Sequence, residues 1–206
     1  QGRLDLASTD PSVVASKVLE QPVDLVIWQD RAPLRRFTGV VSEFARGDSG
    51  HRRTRYELVF RPPLWRLALM HNSRIFQNRG TDEIVRTLLE ERGVVDTVFD
   101  LERRPEEREY CVQHRESDLA FVERLAAEEG WHYRYQHGSL DGQEPPALVF
   151  ADHHRDSPRL EAVPYNGKAG GSTRTPCVFR FAYRERVRPA SVAMKDYTFK
   201  NPAYAL

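Results

Sequence analysis

Residues 110–135 read YCVQHRESDLAFVERLAAEEGWHYRY, and this stretch spells one strand–helix–strand unit. Tyr110, Val112 and His114 alternate with Cys111 and Gln113, the two-residue period of a strand. Glu116-Ser117-Asp118 then supplies good residues for a helix N-terminus. Leu119, Val122, Leu125 and Ala126 recur at spacings of three and four, which gathers them into one apolar stripe. Glu128 and Glu129 precede Gly130, the expected left-handed stop. Trp131, Tyr133 and Tyr135 alternate with His132 and Arg134, so an aromatic-faced strand leaves the helix.

Upstream, residues 23–28 alternate as a strand, Gln29-Asp30-Arg31-Ala32-Pro33 reads as a hairpin turn, and 36–44 is the partner strand. A turn at 46–50 leads into a strand at 53–61, with Tyr56, Leu58 and Phe60 on one face. Three consecutive β segments joined by short turns predict an antiparallel meander or barrel. Leu4 and Leu6 belong to a shorter alternating piece, and 12–19 has helical character. Pro62-Pro63 end the third strand, and 64–70 is expected to form a short helix or turn packed under the sheet. Thr81 is expected to cap a helix over 82–92 that Gly93 stops, with Asp82, Glu83 and Arg92 placed to suit its dipole.

Residues 102–109 carry seven charges in eight positions and read as a solvated connection. Downstream, 136–146 forms a loop into a strand at 147–151, a glycine-rich loop covers 165–175, and 177–186 and 189–195 are further strand candidates. The fold class is α+β, mainly β: barrel-like antiparallel sheets with an inserted helical segment.

The wording of the central unit resembles the VgrG family, the spike hub of bacterial type VI secretion, whose relatives are the tail hubs and late-control proteins of contractile phages. That family carries Y-x-V-Q-Y-x-E-S-D-x-x-F-x-x-R-L-x-E-E-E-G-I-x-Y-x-F. Here Tyr110, Val112, Gln113, Glu116, Ser117, Asp118, Phe121, Arg124, Leu125, Glu128, Glu129, Gly130 and Tyr133 stand in register. His114, Ala127 and Trp131 depart from it without breaking the pattern. Phe37-Thr38-Gly39-Val40-Val41, the run from Tyr56 to Leu67, Ser73-Arg74-Ile75-Phe76-Gln77 and Asp196-Tyr197-x-Phe199-x-x-Pro202 match further family segments in order. The resemblance thus runs from about residue 35 to the end of the chain.

The resemblance implies a phage tail-hub-like fold, with residues 1–63 as part of a first barrel-like domain and 64–135 as the helix-containing insert. Residues 136–206 would hold the remaining strands and the start of a second barrel-like domain. It implies a structural hub in which three copies form a pseudo-hexameric ring. Such a trimer adapts a hexameric, Hcp-like tube to a membrane-puncturing needle and carries effectors through C-terminal regions missing here. The same text fits a contractile phage or prophage tail hub. Assembly in the bacterial cytoplasm and export by sheath contraction, puncturing a target membrane, would follow. The N-terminus looks short beside the family, as in a trimmed chain.

Composition sets outer bounds. With 31 basic and 30 acidic residues the net charge is +1, so no strong field invites nucleic acid or anionic lipid. Lys occurs only at 17, 168, 195 and 200, so the basic residues are mostly Arg. Arg52-Arg53-x-Arg55 and Arg184-x-Arg186-x-Arg188 lie near aromatics, but Glu57 and Glu185 interrupt them, which suits mixed-charge faces better than phosphate binding. Cys111 and Cys177 make neither a disulfide framework nor a metal cluster and are expected to be reduced. No secretory leader opens the chain, and no apolar run approaches the roughly 20 residues of a bilayer span.

The sharpest rival signal is the strand 148–151 ending in Asp152-His153-His154, which resembles the name-giving motif of the DHH phosphoesterases. Carboxylate and imidazole are sensible ligands for a divalent ion. A two-metal mechanism, however, needs further carboxylates that the sequence does not supply in a recognisable motif. His51 and His71 read as isolated, the spacing of His132 and His137 suits opposite strand faces, and Glu128-Glu129 read as a solvated helix terminus whose carboxylates point apart. No catalytic, cofactor-binding or metal-binding residues are assigned, and the chain is expected not to be an enzyme.

Overall fold

The computed structural model describes residues 1–155, 162–167, 177–187 and 191. The chain divides into two compact units after Asp156. The first is mostly β, with a four-stranded sheet beside a helical layer.

That sheet has the order β1-β4-β3-β2, from strands Gly2–Ser8 (β1), Pro22–Gln29 (β2), Ala32–Ser49 (β3) and Thr54–Arg61 (β4). All its pairs are antiparallel, so β2, β3 and β4 form the expected meander and β1 adds beside β4. Asp30 and Arg31 both take positive φ, 49° and 68°, in the two-residue β2–β3 turn. A turn left-handed at both central positions matches the twist of the flanking strands. The long β3 shifts register against β4 between Val41 and Glu43 and again between Arg46 and Ser49. Such bulges bend a strand and increase its twist, and the sheet curls into a half-barrel. Gly39 is required there, because a Cβ would lie 2.6 Å from the carbonyl oxygen of Arg61 on β4. The inner face gathers Val41, Leu58 and Phe60, with Leu4, Leu25 and Phe37 packed against them.

The larger core lies in the helical layer. The helices are Thr81–Glu91 (α1) and Asp118–Glu128 (α2). Ile84, Val85, Leu88 and Leu89 from α1 meet Phe121, Val122 and Leu125 from α2, all fully buried. The 3-10 segment Pro63–Leu69 contributes Leu64 and Leu67 to this core and packs on α2, not under the four-stranded sheet as expected. A two-stranded ribbon, His71–Arg79 (β5) with Arg108–Ser117 (β7), lays Phe76 and Cys111 on the same core. A three-stranded sheet of order β6-β9-β8, from Thr97–Asp100, Ala147–Ala151 and His132–Gln136, adds Phe150 and Leu148. Its β6–β9 pair is parallel, the exception to the antiparallel rule.

Two further local expectations need correction, the cap of α1 and the strand at 177–186. Arg92 at the end of α1 and the mostly exposed connection over 102–109 stand as expected but gain partners. Gly80, not Thr81, is the N-cap of α1; Thr81 is inside the helix and fully buried. Arg92 turns from the end of α1 toward Asp118. The second unit, by itself, shows no strand at 177–186 among its described residues. Among those residues Tyr165 and Val178 form a parallel bridge, while Phe179, Phe181 and Tyr183 are exposed. Lastly, the connection over 102–109 is anchored at both ends, as described below. The strand expected over 189–195 and the Asp196–Pro202 segment lie outside the described residues, Ser191 apart.

Candidate functional site

Signature residues assemble into two polar networks that tie the helical layer together. The first centres on Asp118, which is fully buried at the start of α2. Ser117 caps that helix by accepting the Ala120 N–H at 3.1 Å. Asp118 Oδ1 accepts from Gln113 Nε2 at 2.9 Å and Asn72 Nδ2 at 2.7 Å. Its Oδ2 accepts from Arg92 Nη2 at 2.9 Å and Nε at 3.1 Å. One carboxylate therefore joins β5, β7, α2 and the residue that ends α1. Burial by itself pushes this carboxyl upward, but the donors Gln113, Asn72 and Arg92 outweigh it and hold the pKa below the ordinary aspartate value.

The second network sits at the other end of α2. Arg108 donates to Glu128 Oε2 at 2.6 Å and to Glu129 Oε1 at 2.7 Å. Glu129 Oε1 also accepts from the Thr81 hydroxyl at 2.6 Å. Arg124 bridges Glu116 and Glu128 and reaches the Val112 carbonyl at 3.0 Å. Glu128 stays exposed as expected, but the two carboxylates do not point apart: they converge on one guanidinium, because β7 delivers Arg108 beside the helix end. Gly130, at φ 73°, turns the chain out immediately afterwards.

The Asp152-His153-His154 motif follows β9, and its three side chains point to three different partners. Asp152 accepts the backbone N–H groups of Glu102 at 3.0 Å and Arg103 at 3.1 Å. These bonds, that from Glu102 foremost, hold its carboxyl below the usual range. They pin one end of the charged connection, while Arg108 anchors the other. His153 Nε2 lies 3.5 Å from Asp100 Oδ1. His154 stacks on His132, with ring centroids 4.6 Å apart. Among the described residues no three His, Cys, Asp or Glu side chains converge to hold a metal ion.

Two surfaces complete the picture of this unit. An open cavity of about 340 Å³ lies on the inner face of the half-barrel, lined mainly by Leu4, Leu25, Phe37, Phe60 and His137. His137 Nδ1 accepts the Thr38 N–H at 3.1 Å, and burial lowers the pKa of this imidazole. On the ribbon, Cys111 and Gln113 point inward, so the alternate residues Tyr110 and Val112 face out. With Ile75 opposite Val112 they form an exposed apolar patch, 60%, 47% and 66% accessible. Sequence reasoning missed both the burial of Gln113 and this patch. The two-residue period was visible, but not which face the helices cover.

Comparisons with known proteins agree with this architecture. The family described as phage tail baseplate hub (GPD) matches residues 1–206. The type VI secretion system spike protein VgrG3 of Vibrio cholerae is 39% identical over 203 residues, 98% of this chain but 20% of that protein. The actin cross-linking toxin VgrG1 of another V. cholerae strain is 40% identical over 203 residues, 98% of this chain and 18% of its own length. The chain therefore spans about a fifth of these curated relatives. A solved structure of the Escherichia coli c3393 protein superposes with a TM-score of 0.64 at 29% identity, covering 79% of this chain and 44% of that one. It is described as a type VI secretion component similar to the T4 bacteriophage tail proteins gp27 and gp5.

Proposed function

The chain belongs to the phage tail baseplate hub family, and we propose that it is the hub region of a type VI secretion spike, a structural part without catalytic residues. The supporting observation is that signature residues at 113, 116, 118, 124, 128 and 129 all act as ties between elements. Their role is to hold a rigid layer together, which a part driven by a contracting sheath requires. A relative named a spike protein and another named a toxin resemble this region about equally, as expected if it is a shared mount whose cargo is specified elsewhere.

By this reading three copies form a closed ring, seat on a hexameric tube and lead toward a needle. The exposed Ile75, Tyr110 and Val112 face is the kind of apolar surface that such an assembly covers. Assembly would take place in the cytoplasm and export would follow contraction, with effectors carried on regions outside this chain.

The test is co-sedimentation of the full-length trimer with preassembled rings of its cognate tube protein. Saturation at three hub copies per ring supports the adaptor role; an intact trimer that leaves the rings bare overturns it. A phage or prophage tail hub is the second reading, favoured by the family's name and by the likeness of the E. coli protein to phage tail proteins. Recovery of the protein in phage particles after induction of the host would select it.

A further inference from the structure

The corner where β9 ends and β8 begins holds more titratable groups than packing requires. His132 opens β8 and pairs in register with Ala151, the last residue of β9. The residues after β9 fold back over this point, so that His154 lies on His132 with ring planes inclined by 25°. His132 Nε2 is shielded from solvent and has no hydrogen-bond partner among the described residues. His153 Nδ1 accepts the Arg155 N–H at 3.3 Å, a bond that needs this nitrogen bare, while its Nε2 faces Asp100.

The geometry points to an acid-sensitive latch: neutral His132 and His154 clamp the chain leaving β9 onto β8, and protonation of His132 beside His154 releases residues 153–155. Two neutral imidazoles stack favourably, whereas two imidazolium rings at this separation repel. The charged groups bearing on His132 are His154, Arg134 on its own strand and His153, opposed by Asp152. Asp152 stays ionised through this range and keeps its two backbone donors, which confines the release to the short segment after it.

Burial foremost, then His154, Arg134 and His153, lowers the His132 pKa from its ordinary 6.5. The unfolded or released chain therefore binds the proton more readily than the latched one. Latching is fully present above about pH 6.5 and is lost as pH falls through the depressed value. The device lies wholly within residues 100–155 and stands whether or not the spike reading does.

The experiment is a histidine-selective NMR titration of the 206-residue chain from pH 7.5 to 5.0. Expected are ring–ring NOEs between His132 and His154 at pH 7.5 that vanish by pH 5.0, with a His132 midpoint below that of an unfolded peptide. His154→Phe keeps an aromatic partner without its charge. In that variant the His132 midpoint rises, and NOEs from His132 to the new ring persist to a pH about one unit lower, a tenfold higher proton concentration. NOEs in the parent chain that are absent at pH 7.5 or survive to pH 5.0 overturn the latch. The parent titration decides this even if the variant does not fold.

Discussion

Gln113 and Asp118, five residues apart, meet inside the protein: the Gln113 side-chain amide donates to the Asp118 carboxylate at 2.9 Å, and both residues are fully buried. The contact crosses from β7 into α2, and so fixes the angle at which the helix leaves its strand. Gln113 Nε2 also donates to the Glu116 carbonyl at 3.2 Å, which pins the intervening bulge of β7 where Arg115 takes a φ of 50°. The recurring text Gln…Glu-Ser-Asp is thus a folding device whose members serve a single junction.

Removing Asp118 should be severe. Asp118→Ala strands the Gln113 and Asn72 amides and the Arg92 guanidinium, and leaving buried donors without a partner is costlier than the net worth of the bonds. We expect a loss of about 3–5 kcal/mol, read as a lower urea midpoint with an unchanged slope. A loss under about 1 kcal/mol would show that the network contributes little.

The same residue predicts an acid limb. Asp118 is held below its ordinary 3.8, so in that region the unfolded chain binds the extra proton. Its contribution is complete above about pH 4 and disappears as pH falls through the depressed folded value. Glu128 acts in the same direction: burial raises its pKa, but Arg108 and Arg124 together hold it below 4.5. Urea midpoints measured from pH 6 to pH 2.5 should fall, and the Asp118→Asn chain should start lower and fall less. Parallel curves for the two proteins would refute the assignment.

Two glycines should fail for different reasons. Gly39→Ala sets a methyl group 2.6 Å from a backbone oxygen, so β3 and β4 must separate locally. Gly130→Ala meets nothing within 4 Å and pays only for its φ of 73°. We expect about 1 kcal/mol for Gly130→Ala and about 1–3 kcal/mol for Gly39→Ala. Backbone amide shifts should spread across both strands for Gly39→Ala alone.

Thr81 and Glu129 should be energetically coupled. Thr81→Val keeps the shape and removes the donor, while Glu129→Gln removes the charge that Arg108 and Thr81 share. A double-mutant cycle should return a coupling of about 0.5–2 kcal/mol; additivity within error would sever the link.

Cys111 should behave as a buried, inert thiol. Burial foremost raises its pKa, although Arg108 and Arg124 oppose this. Ellman's reagent at pH 8 should reach it only as fast as the chain opens, and a rate independent of added urea would contradict that.

Much of this was legible in sequence, and the reason is local. Helix α2, its Ser117 cap, its Gly130 stop and the β2–β3 turn depend on side chains bonding to nearby backbone or on φ preferences, so short-range spacing specifies them. The meander of β2, β3 and β4 followed from alternation and turn length. Family membership was legible for the same reason, since the signature residues are contiguous text.

What only the tertiary structure decided were choices between faces and between partners distant in sequence. Alternation in β7 could not say whether Tyr110 and Val112 or Cys111 and Gln113 would be covered; the helices cover the second pair because Asp118 needs Gln113. Thr81 had the chemistry of a cap, yet a carboxylate 48 positions away claimed its hydroxyl. His132 and His154 are separated by a whole hairpin, and only the register of β8 on β9 brings their rings together. Local chemistry selects the elements; long-range packing selects which polar groups lose water, and hence which partners they must find.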